Sequence, residues 1–210
     1  MGYEQMQNNR AYVTGTVTSE PVFSHEVLGE RFYDLTLDVK RLSDRSDTLP
    51  VTVSDRLLGD FRPEIGDRLG VSGQLRSYNK QCEGRSKLII RVFARELDDG
   101  EGGVPNRIEL EGYVCKPPFY RVTPFGREIC DMLLAVNRAY NKSDYIPAIV
   151  WGRNAKYAGE FAVVDRVSVT GRLQSRIYQK TLPDGSTEER VAYEVSVSQI
   201  CAAGERAGDF

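Results

Sequence analysis

The chain has 210 residues, of which 40% are hydrophobic and 28% are charged, and its formal net charge is −2. This composition is typical of an ordinary globular protein with one large or two small domains, and no run of about eighteen apolar residues is present, which excludes a transmembrane helix. The ten N-terminal residues are polar and lack the apolar stretch of a signal peptide, so we expect a cytoplasmic protein.

The residues that usually support catalysis or metal binding are sparse. Because the four cysteines form no Cys-x-x-Cys pair, they are interpreted as buried free thiols rather than as disulfides or a zinc site; they are Cys82, Cys115, Cys130 and Cys201. The single histidine, His25, excludes a histidine-based triad and a multi-histidine metal site. Acidic residues within 184–189 favour a solvated hairpin tip over a metal site. We therefore expect no enzymatic activity, no cofactor and no metal.

An internal repeat organises the sequence. Identical residues recur 97 positions apart, as in Asn9 with Asn106, Gly15 with Gly112, Asp34 with Asp131, Asp47 with Asp144 and Val53 with Val150. After one inserted residue the offset becomes 98, which pairs Asp67 with Asp165, Gly73 with Gly171 and Leu75 with Leu173. The chain is therefore a duplication of a unit of about 95 residues.

The repeat sets the expected domain boundaries. We predict an N-terminal tail (1–8), a first domain (9–97), an acidic, glycine-rich and flexible linker (98–105), a second domain (106–201) and a short C-terminal tail (202–210). Residues 1–104 carry 14 Lys/Arg and 17 Asp/Glu, a net charge of −3, whereas residues 105–210 carry 14 and 13, a net charge of +1. The second domain is thus the better partner for a polyanion.

Each copy predicts five strands, which are clearest in the second. Alternating apolar residues indicate a strand at 108–114, two more at 127–137 and 145–151 joined by a polar loop, a short helix at 154–161, and strands at 167–173 and 191–197 around a turn at 183–185. Five strands with a helix between the third and fourth match an OB-type barrel, and about 95 residues leave little room for a seven-stranded sandwich. The predicted fold class is all-β, with two tandem OB-fold five-stranded barrels that each carry one short helix.

Aromatic rings in the second copy alternate with cations along the elements that face the open side of such a barrel. Nucleobases stack on rings while Lys and Arg follow phosphates, so this pattern predicts a single-stranded nucleic-acid site. Trp151 taken alone is equally well explained as a core residue. The predicted contact residues are Tyr140, Tyr145, Trp151, Tyr178, Arg138, Lys142, Arg153, Arg172, Arg176 and Lys180.

The second copy resembles the bacterial single-stranded DNA-binding protein family. The similarity covers nearly all of 106–200, including Trp-Gly-Arg-Asn-Ala at 151–155 and Gly-Arg-Leu-Gln-Ser-Arg at 171–176. The resemblance implies an OB fold, oligomers that present four OB domains, nucleoid association, and roles in replication, recombination and repair. It also implies base stacking at four aromatic positions, which fall on Tyr140, Tyr145, Trp151 and Tyr178.

The first copy departs from that family. The repeat places Ser43, Thr48 and Ser54 where the second copy has Tyr140, Tyr145 and Trp151. We therefore expect the first domain to be a scaffold with auxiliary DNA contacts through Arg41, Arg76, Tyr78 and Lys80.

The C-terminus departs as well. The family usually ends in a long disordered tail with an acidic tip that recruits other proteins, whereas only residues 202–210 follow the second domain here. The resemblance therefore does not extend to the usual tail partners.

Together these patterns predict a homodimer that coats single-stranded DNA without sequence specificity. Three alternatives remain: a protein-interaction module whose rings are interface anchors, a primosome-type accessory, and a protein that binds single-stranded RNA.

Overall fold

The computed structural model describes residues 7–82, 85–101, 104–182 and 185–204. The elements are β1 Asn9–Val17, β2 Val22–Val27, β3 Glu30–Lys40, β4 Ser46–Ser54, α1 Asp55–Phe61, β5 Arg68–Cys82, β6 Arg85–Asp98, β7 Asn106–Val114, β8 Phe119–Val122, β9 Glu128–Arg138, β10 Lys142–Trp151, α2 Arg153–Gly159, β11 Arg166–Thr181 and β12 Thr187–Ala202. The first barrel contains β1–β6 and α1, and the second contains β7–β12 and α2.

Several strands of the barrels, β3 and β7 among them, bury about every second side chain, as the alternating sequence predicts. In β7, Ile108, Leu110 and Val114 are buried, whereas Tyr113 faces outward. In β3 the same period buries the apolar side chains from Leu35 to Val39. These inward residues form the hydrophobic core of each barrel.

The strand pairings close each barrel. β1 pairs with β3 and β5, β3 pairs with β4, and β6 pairs with both β4 and β5, so five strands form a ring. Only the β4–β6 contact in this ring is parallel. The second barrel repeats the pattern with β7, β9, β10, β12 and β11. The predicted fold class is confirmed, with one addition: β2 and β8 are short edge strands on β3 and β9.

The repeated asparagines have a structural reason. The Asn9 side chain accepts a hydrogen bond from the Leu75 amide at 2.9 Å and donates to the Leu75 carbonyl at 2.8 Å. Asn106 makes the same pair of bonds to Leu173, at 2.9 and 2.7 Å. Each pair of bonds lies close to a strand bulge, at Ser72/Gly73 in the first barrel and at Thr170/Gly171 in the second. The side-chain amide thus continues the pairing of β1 with β5, and of β7 with β11, one step beyond the last backbone pairs, Ala11↔Gly73 and Ile108↔Gly171.

The two barrels are joined edge to edge. β1 pairs antiparallel with β7, from Asn9↔Leu110 to Val13↔Asn106, which produces one continuous sheet of twelve strands among the described residues. The edges that β1 and β7 would otherwise expose are therefore satisfied within the chain.

The described part of the segment between the barrels is held in place. The Gly100 carbonyl accepts a hydrogen bond from Arg68 Nε at 2.8 Å, and the Pro105 carbonyl accepts one from the Thr14 amide at 2.8 Å. Gly100 is buried with φ +69°, a backbone conformation that favours glycine. These bonds attach both described ends of the predicted linker to the first barrel, and residues 102 and 103 lie outside the described ranges.

Strand ends differ most from the sequence prediction. The loop predicted between β9 and β10 shrinks to residues 139–141, because the buried side chain of Asp144 finds partners that let β10 begin at Lys142. β11 and β12 extend far beyond the predicted 167–173 and 191–197, because their pairing continues out to Thr181↔Thr187. At the predicted turn, Pro183 and Asp184 lie outside the described residues, and Gly185 has φ +82°.

The cysteines are mostly internal. Cys130 is fully buried, and burial raises the pKa of its thiol to about 11. The Cys115 thiol donates to the Leu133 carbonyl at 3.0 Å. Cys201 is half-buried, and the side chain of Cys82 lies outside the described part.

In the same described ranges, neither of the two seven-residue helices is long or apolar enough to cross a membrane.

Candidate nucleic-acid interface

Three of the four predicted stacking rings lie on the β9–β10 hairpin and are exposed. Tyr140 at its tip is 80% exposed, Tyr145 is 46% exposed and Trp151 at the end of β10 is 38% exposed. Ile149, which shares their strand face, is only 6% exposed. The rings therefore stand on a buried strand rather than inside the core, which removes the interpretation of Trp151 as a core residue.

The ring of Trp151 is held in one orientation by its nitrogen. Trp151 Nε1 donates to Ser196 Oγ on the neighbouring β12 at 3.1 Å. Because this bond uses the polar edge of the indole, the exposed area of the side chain is mainly apolar ring surface. Such a fixed π-face loses little conformational entropy when a flat partner stacks on it.

The tip of the hairpin is strained. Tyr140 and Asn141 have φ of 63° and 53°, in the left-handed region. Asparagine tolerates this conformation, but for a tyrosine it costs about 1–2 kcal/mol. The tight turn between Arg138 and Lys142 requires this backbone conformation and leaves the Tyr140 ring exposed.

Tyr178 lies on the hairpin formed by β11 and β12, here called the second arm. The ring is half-buried, and the Arg176 guanidinium lies 5.5 Å from its centroid. Arg176 is also 3.6 Å from Glu194, while 56% of its side chain stays exposed. Arg190 lies opposite Tyr178 in the strand register. Its hydrogen bond to Glu188 raises the pKa of Arg190, so this cation, which sequence reasoning missed, belongs to an acid–base pair.

Four of the predicted cations remain beside the rings. Lys142 follows the Tyr140 tip, Arg153 follows Trp151 at the start of α2, and Arg176 and Lys180 flank Tyr178. Lys142, Arg153 and Arg176 are exposed and Lys180 is half-buried. These four side chains stand beside the rings, and Arg176 among them also faces the buried carboxylate of Glu194.

Arg138 and Arg76 surround a buried aspartate instead. Asp144 is 0% exposed; its carboxylate accepts a hydrogen bond from the Ser77 amide at 2.7 Å and one from Arg76 at 3.2 Å. Arg138 Nε lies 3.3 Å from the same carboxylate as an ion pair but makes no hydrogen bond within the described residues. Burial, with the charge of Arg138 as a further contribution, lowers the pKa of Arg76.

Arg41 and Arg172 form the matching cluster around Asp47. The Asp47 carboxylate accepts bonds from Arg41 at 2.5 and 2.7 Å and from Arg172 at 3.2 Å, and the Ser175 amide donates to it at 2.7 Å. Burial alone would raise the pKa of Asp47, but the hydrogen bonds from Arg41 and Ser175 outweigh it and lower the pKa.

These two clusters give four of the predicted contact cations carboxylate partners. Asp47 contacts the second barrel and Asp144 contacts the first, so the clusters are reciprocal across the contact between barrels. The guanidinium groups of Arg41, Arg76, Arg138 and Arg172 neutralise the buried carboxylates there. The periodicity of the sequence does not show that these arginines pair with carboxylates. The internal repeat, however, does pair Asp47 with Asp144, the two aspartates at the centres of the clusters.

The edge hairpin of the second barrel carries two exposed phenylalanine rings that are not among the predicted site residues. Phe119 is 62% exposed and Phe125 is 92% exposed. The Pro-Phe-Gly sequence at 124–126 is a turn signal that marks the exposed position of Phe125.

Among the described residues, no group of three or more His, Cys, Asp or Glu side chains could hold a metal ion.

Comparison with known proteins agrees with this architecture. The model of the single-strand binding protein family matches residues 105–202. A single-stranded DNA-binding protein of Thermus thermophilus is 30% identical over 195 residues, which span 79% of this chain and 74% of that protein. Single-stranded DNA-binding protein A of Bacillus subtilis is 35% identical over 81 residues, covering 35% of this chain and 47% of its own.

The solved structures extend the similarity to the whole chain. The wild-type single-stranded DNA binding protein from Thermus aquaticus superimposes with a TM-score of 0.75 at 22% identity, covering 94% of both chains. At that identity the superposition shows a shared fold. Together with the identity to the Thermus thermophilus protein over most of both chains, it shows that this chain belongs to the single-strand binding protein family.

Proposed function

We propose that the chain binds single-stranded DNA without sequence preference, in replication, recombination or repair, and that the second domain, residues 106–201, makes the main contacts. The observation that carries the proposal is the exposure of Tyr140, Tyr145 and Trp151 on one hairpin, at positions where the family stacks bases. An aromatic face accepts any of the four bases, so binding by stacking is tolerant of sequence.

Phosphate contacts come from the cations that stay beside the rings. Lys142, Arg153, Arg176 and Lys180 fill this role, and Tyr178 supplies the fourth ring. Arg172 acts indirectly, because its ion pair to Asp47 crosses between the barrels and holds them in one arrangement. Arg138 also acts indirectly, because it pairs with Asp144, the carboxylate that receives the Ser77 amide and Arg76 of the first barrel. Binding should weaken strongly with salt as condensed cations leave the strand.

Substitution of Trp151 tests the stacking. Trp151→Ala should weaken binding of oligo(dT) by about 1–3 kcal/mol, whereas Trp151→Phe keeps a ring and should lose less. Tyr113→Ala is a matched control, because Tyr113 is also 38% exposed but lies on β7, next to the contact between barrels. Equal affinities of wild type and Trp151→Ala at one salt concentration would remove Trp151 from the interface.

Two chains are proposed to assemble as a homodimer that presents four barrels, in the cytoplasm on the nucleoid. The β1–β7 pairing already provides two barrels per chain, so two chains give the number that the family resemblance implies. Sedimentation equilibrium should give the mass of two chains without oligo(dT), and the mass of two chains plus the bound oligonucleotide with it. The mass of one chain in both conditions would contradict the proposal.

RNA is the second candidate ligand, since base stacking is nearly blind to the sugar. Competition between oligo(dT) and oligo(U) of equal length decides between them. Preference for oligo(dT) supports the proposed function, and preference for oligo(U) would move the protein to single-stranded RNA.

A further inference from the structure

The strand order of the sheet begins and ends with two hairpins that the internal repeat relates to each other. Among the described residues, β2 pairs only with β3 and β8 pairs only with β9. The repeat offset of 97 matches residues 19–31, here called the acidic hairpin, with residues 116–128, here called the basic hairpin. Each hairpin therefore presents an open edge, which is a surface that another chain can cover.

The acidic hairpin has an excess of negative charge. Its charged residues are Glu20, Glu26, Glu30 and Arg31, three acids and one base, which give a formal charge of −2. Arg31 lies 3.6 Å from Glu26 as an exposed ion pair. Glu20 and Glu30 are also exposed, and within the described ranges neither makes an ion pair. Two carboxylates are therefore left for a partner outside the chain.

The basic hairpin has the opposite excess. Its charged residues are Lys116, Arg121, Arg127 and Glu128, three bases and one acid, which give a formal charge of +2. Arg121 pairs with Asp131 at 2.9 Å, and Glu128 pairs with Lys156 at 3.0 Å. Lys116 and Arg127 are exposed, and neither pairs with a carboxylate in the part of the chain that the structure describes. Two cations are thus left to match the two free carboxylates of the acidic hairpin.

Exposed apolar side chains accompany these charges at matching positions of the repeat. Leu28 and Phe125 lie at the turns of the two hairpins and are 103% and 92% exposed. Val22 and Phe119 lie at the starts of β2 and β8 and are 65% and 62% exposed. Contact between the hairpins would remove this apolar surface from water, which favours association, while the charges determine which hairpins meet.

The charges favour contact between unlike hairpins. Two acidic hairpins would bring −2 against −2, and two basic hairpins would bring +2 against +2, which disfavours both symmetric contacts. Every chain carries one hairpin of each kind, so a second copy of this chain supplies the surface that fits. β8 has only four residues and β2 has an irregularity between Phe23 and His25. Because short or irregular edges resist further strand pairing, we expect the side chains rather than a continued sheet to make the contact.

We propose that the acidic hairpin of one chain docks against the basic hairpin of a second copy. A contact between two different surfaces leaves one hairpin of each kind free at the ends of the assembly, so the assembly continues head to tail. Salt should weaken the contact, because exposed charges are screened over about 10 Å at an ionic strength of about 0.1 M. The contact joins protein to protein, so it goes beyond the proposed function and its test needs no DNA.

Charge reversal tests the contact in the full chain. Sedimentation velocity at low salt and rising protein concentration measures self-association. Glu20→Lys with Glu30→Lys makes both hairpins basic, and Lys116→Glu with Arg127→Glu makes both acidic. Each variant alone should self-associate about tenfold more weakly than wild type, because attractive pairs become repulsive. An equal mixture of the two variants should associate again, since each then meets hairpins of the opposite charge.

A matched control carries Asp44→Lys with Glu101→Lys. It changes the net charge by the same amount as Glu20→Lys with Glu30→Lys, at exposed positions outside both hairpins, and it should self-associate as wild type does. Thermal unfolding that matches wild type confirms that the variants are compared as folded proteins.

Two results would overturn the proposal. One is a wild-type mass that stays constant over the whole concentration range at low salt. The other is a mixture of the reversed variants that associates no better than each variant alone, because the contact would then lie elsewhere. Binding of oligo(dT) is measured separately, so a failure of the proposed function leaves the result for the hairpins unchanged.

Discussion

Replacement of Asp144 by alanine tests how the two barrels are held together. The substitution removes a fully buried carboxylate and leaves the Ser77 amide without its acceptor and Arg76 and Arg138 without their counter-charge. Removing one partner of a buried ion pair costs about 3–5 kcal/mol. The side chains of Arg76 and Arg138 are 21% and 32% exposed, so water partly solvates them, and the lower end of about 3 kcal/mol is expected.

For a chain of this size, that loss lowers the melting temperature by about 6–12 °C. Urea and thermal unfolding of Asp144→Ala and wild type give the difference directly. Glu109→Ala is the control, because it removes a carboxylate from the exposed Arg107–Glu109 pair and should cost only about 0–1 kcal/mol. Asp144→Asn should fall between them, since it keeps an acceptor for the Ser77 amide. If Asp144→Ala unfolds no more easily than Glu109→Ala, the reasoning about the buried cluster is wrong.

Three further predictions concern stability and binding. Hydrogen bonds hold the folded-state pKa of Asp47 below its unfolded value despite burial, so the stabilisation by this carboxylate is present above about pH 4 and is lost as the pH falls through the folded pKa. Asp47→Asn should therefore reduce the loss of unfolding free energy, measured with urea, between about pH 5 and about pH 2. A loss equal to that of wild type would contradict this. Tyr140→Gly should raise the free energy of unfolding by about 1 kcal/mol by relieving the left-handed strain and weaken oligo(dT) binding by about 1–3 kcal/mol; a gain in both would refute a stacking role. Gly171→Ala places a Cβ 2.2 Å from the Ser196 carbonyl oxygen and should destabilise the second barrel in urea unfolding, whereas unchanged stability would show that the bulge can shift.

The fold was predictable because its determinants are periodic and duplicated. Apolar alternation in β7 and β11 marked the core face, and the recurrence of Asn9 as Asn106 marked the start of each barrel. Strand ends were not predictable in the same way. β10 begins at Lys142 because Asp144 is satisfied by a residue 67 positions away in the chain, and no local pattern carries that information.

The exposure of three rings was predictable, and the carboxylate partners of four of the nine candidate cations were not. Tyr140, Tyr145 and Trp151 lie where alternation and the family resemblance placed them, on the outer face of one hairpin. An arginine beside an aromatic residue looks the same in sequence whether it meets a phosphate or a buried carboxylate. Arg172 meets Asp47 because the two barrels pack against each other, whereas Arg138 meets Asp144 of its own hairpin. The β1–β7 pairing accompanies the packing of the barrels, and the sequences of β1 and β7 are like those of any edge strand.

The fluorescence of Trp151, the single tryptophan of the chain, tests the central claim most directly. If bases stack on its exposed face, titration with oligo(dT) at low salt quenches the emission to saturation, and added salt restores it as the strand dissociates. Emission that stays constant while a labelled oligo(dT) is bound would contradict the account, because the strand would then lie away from the rings of the second barrel.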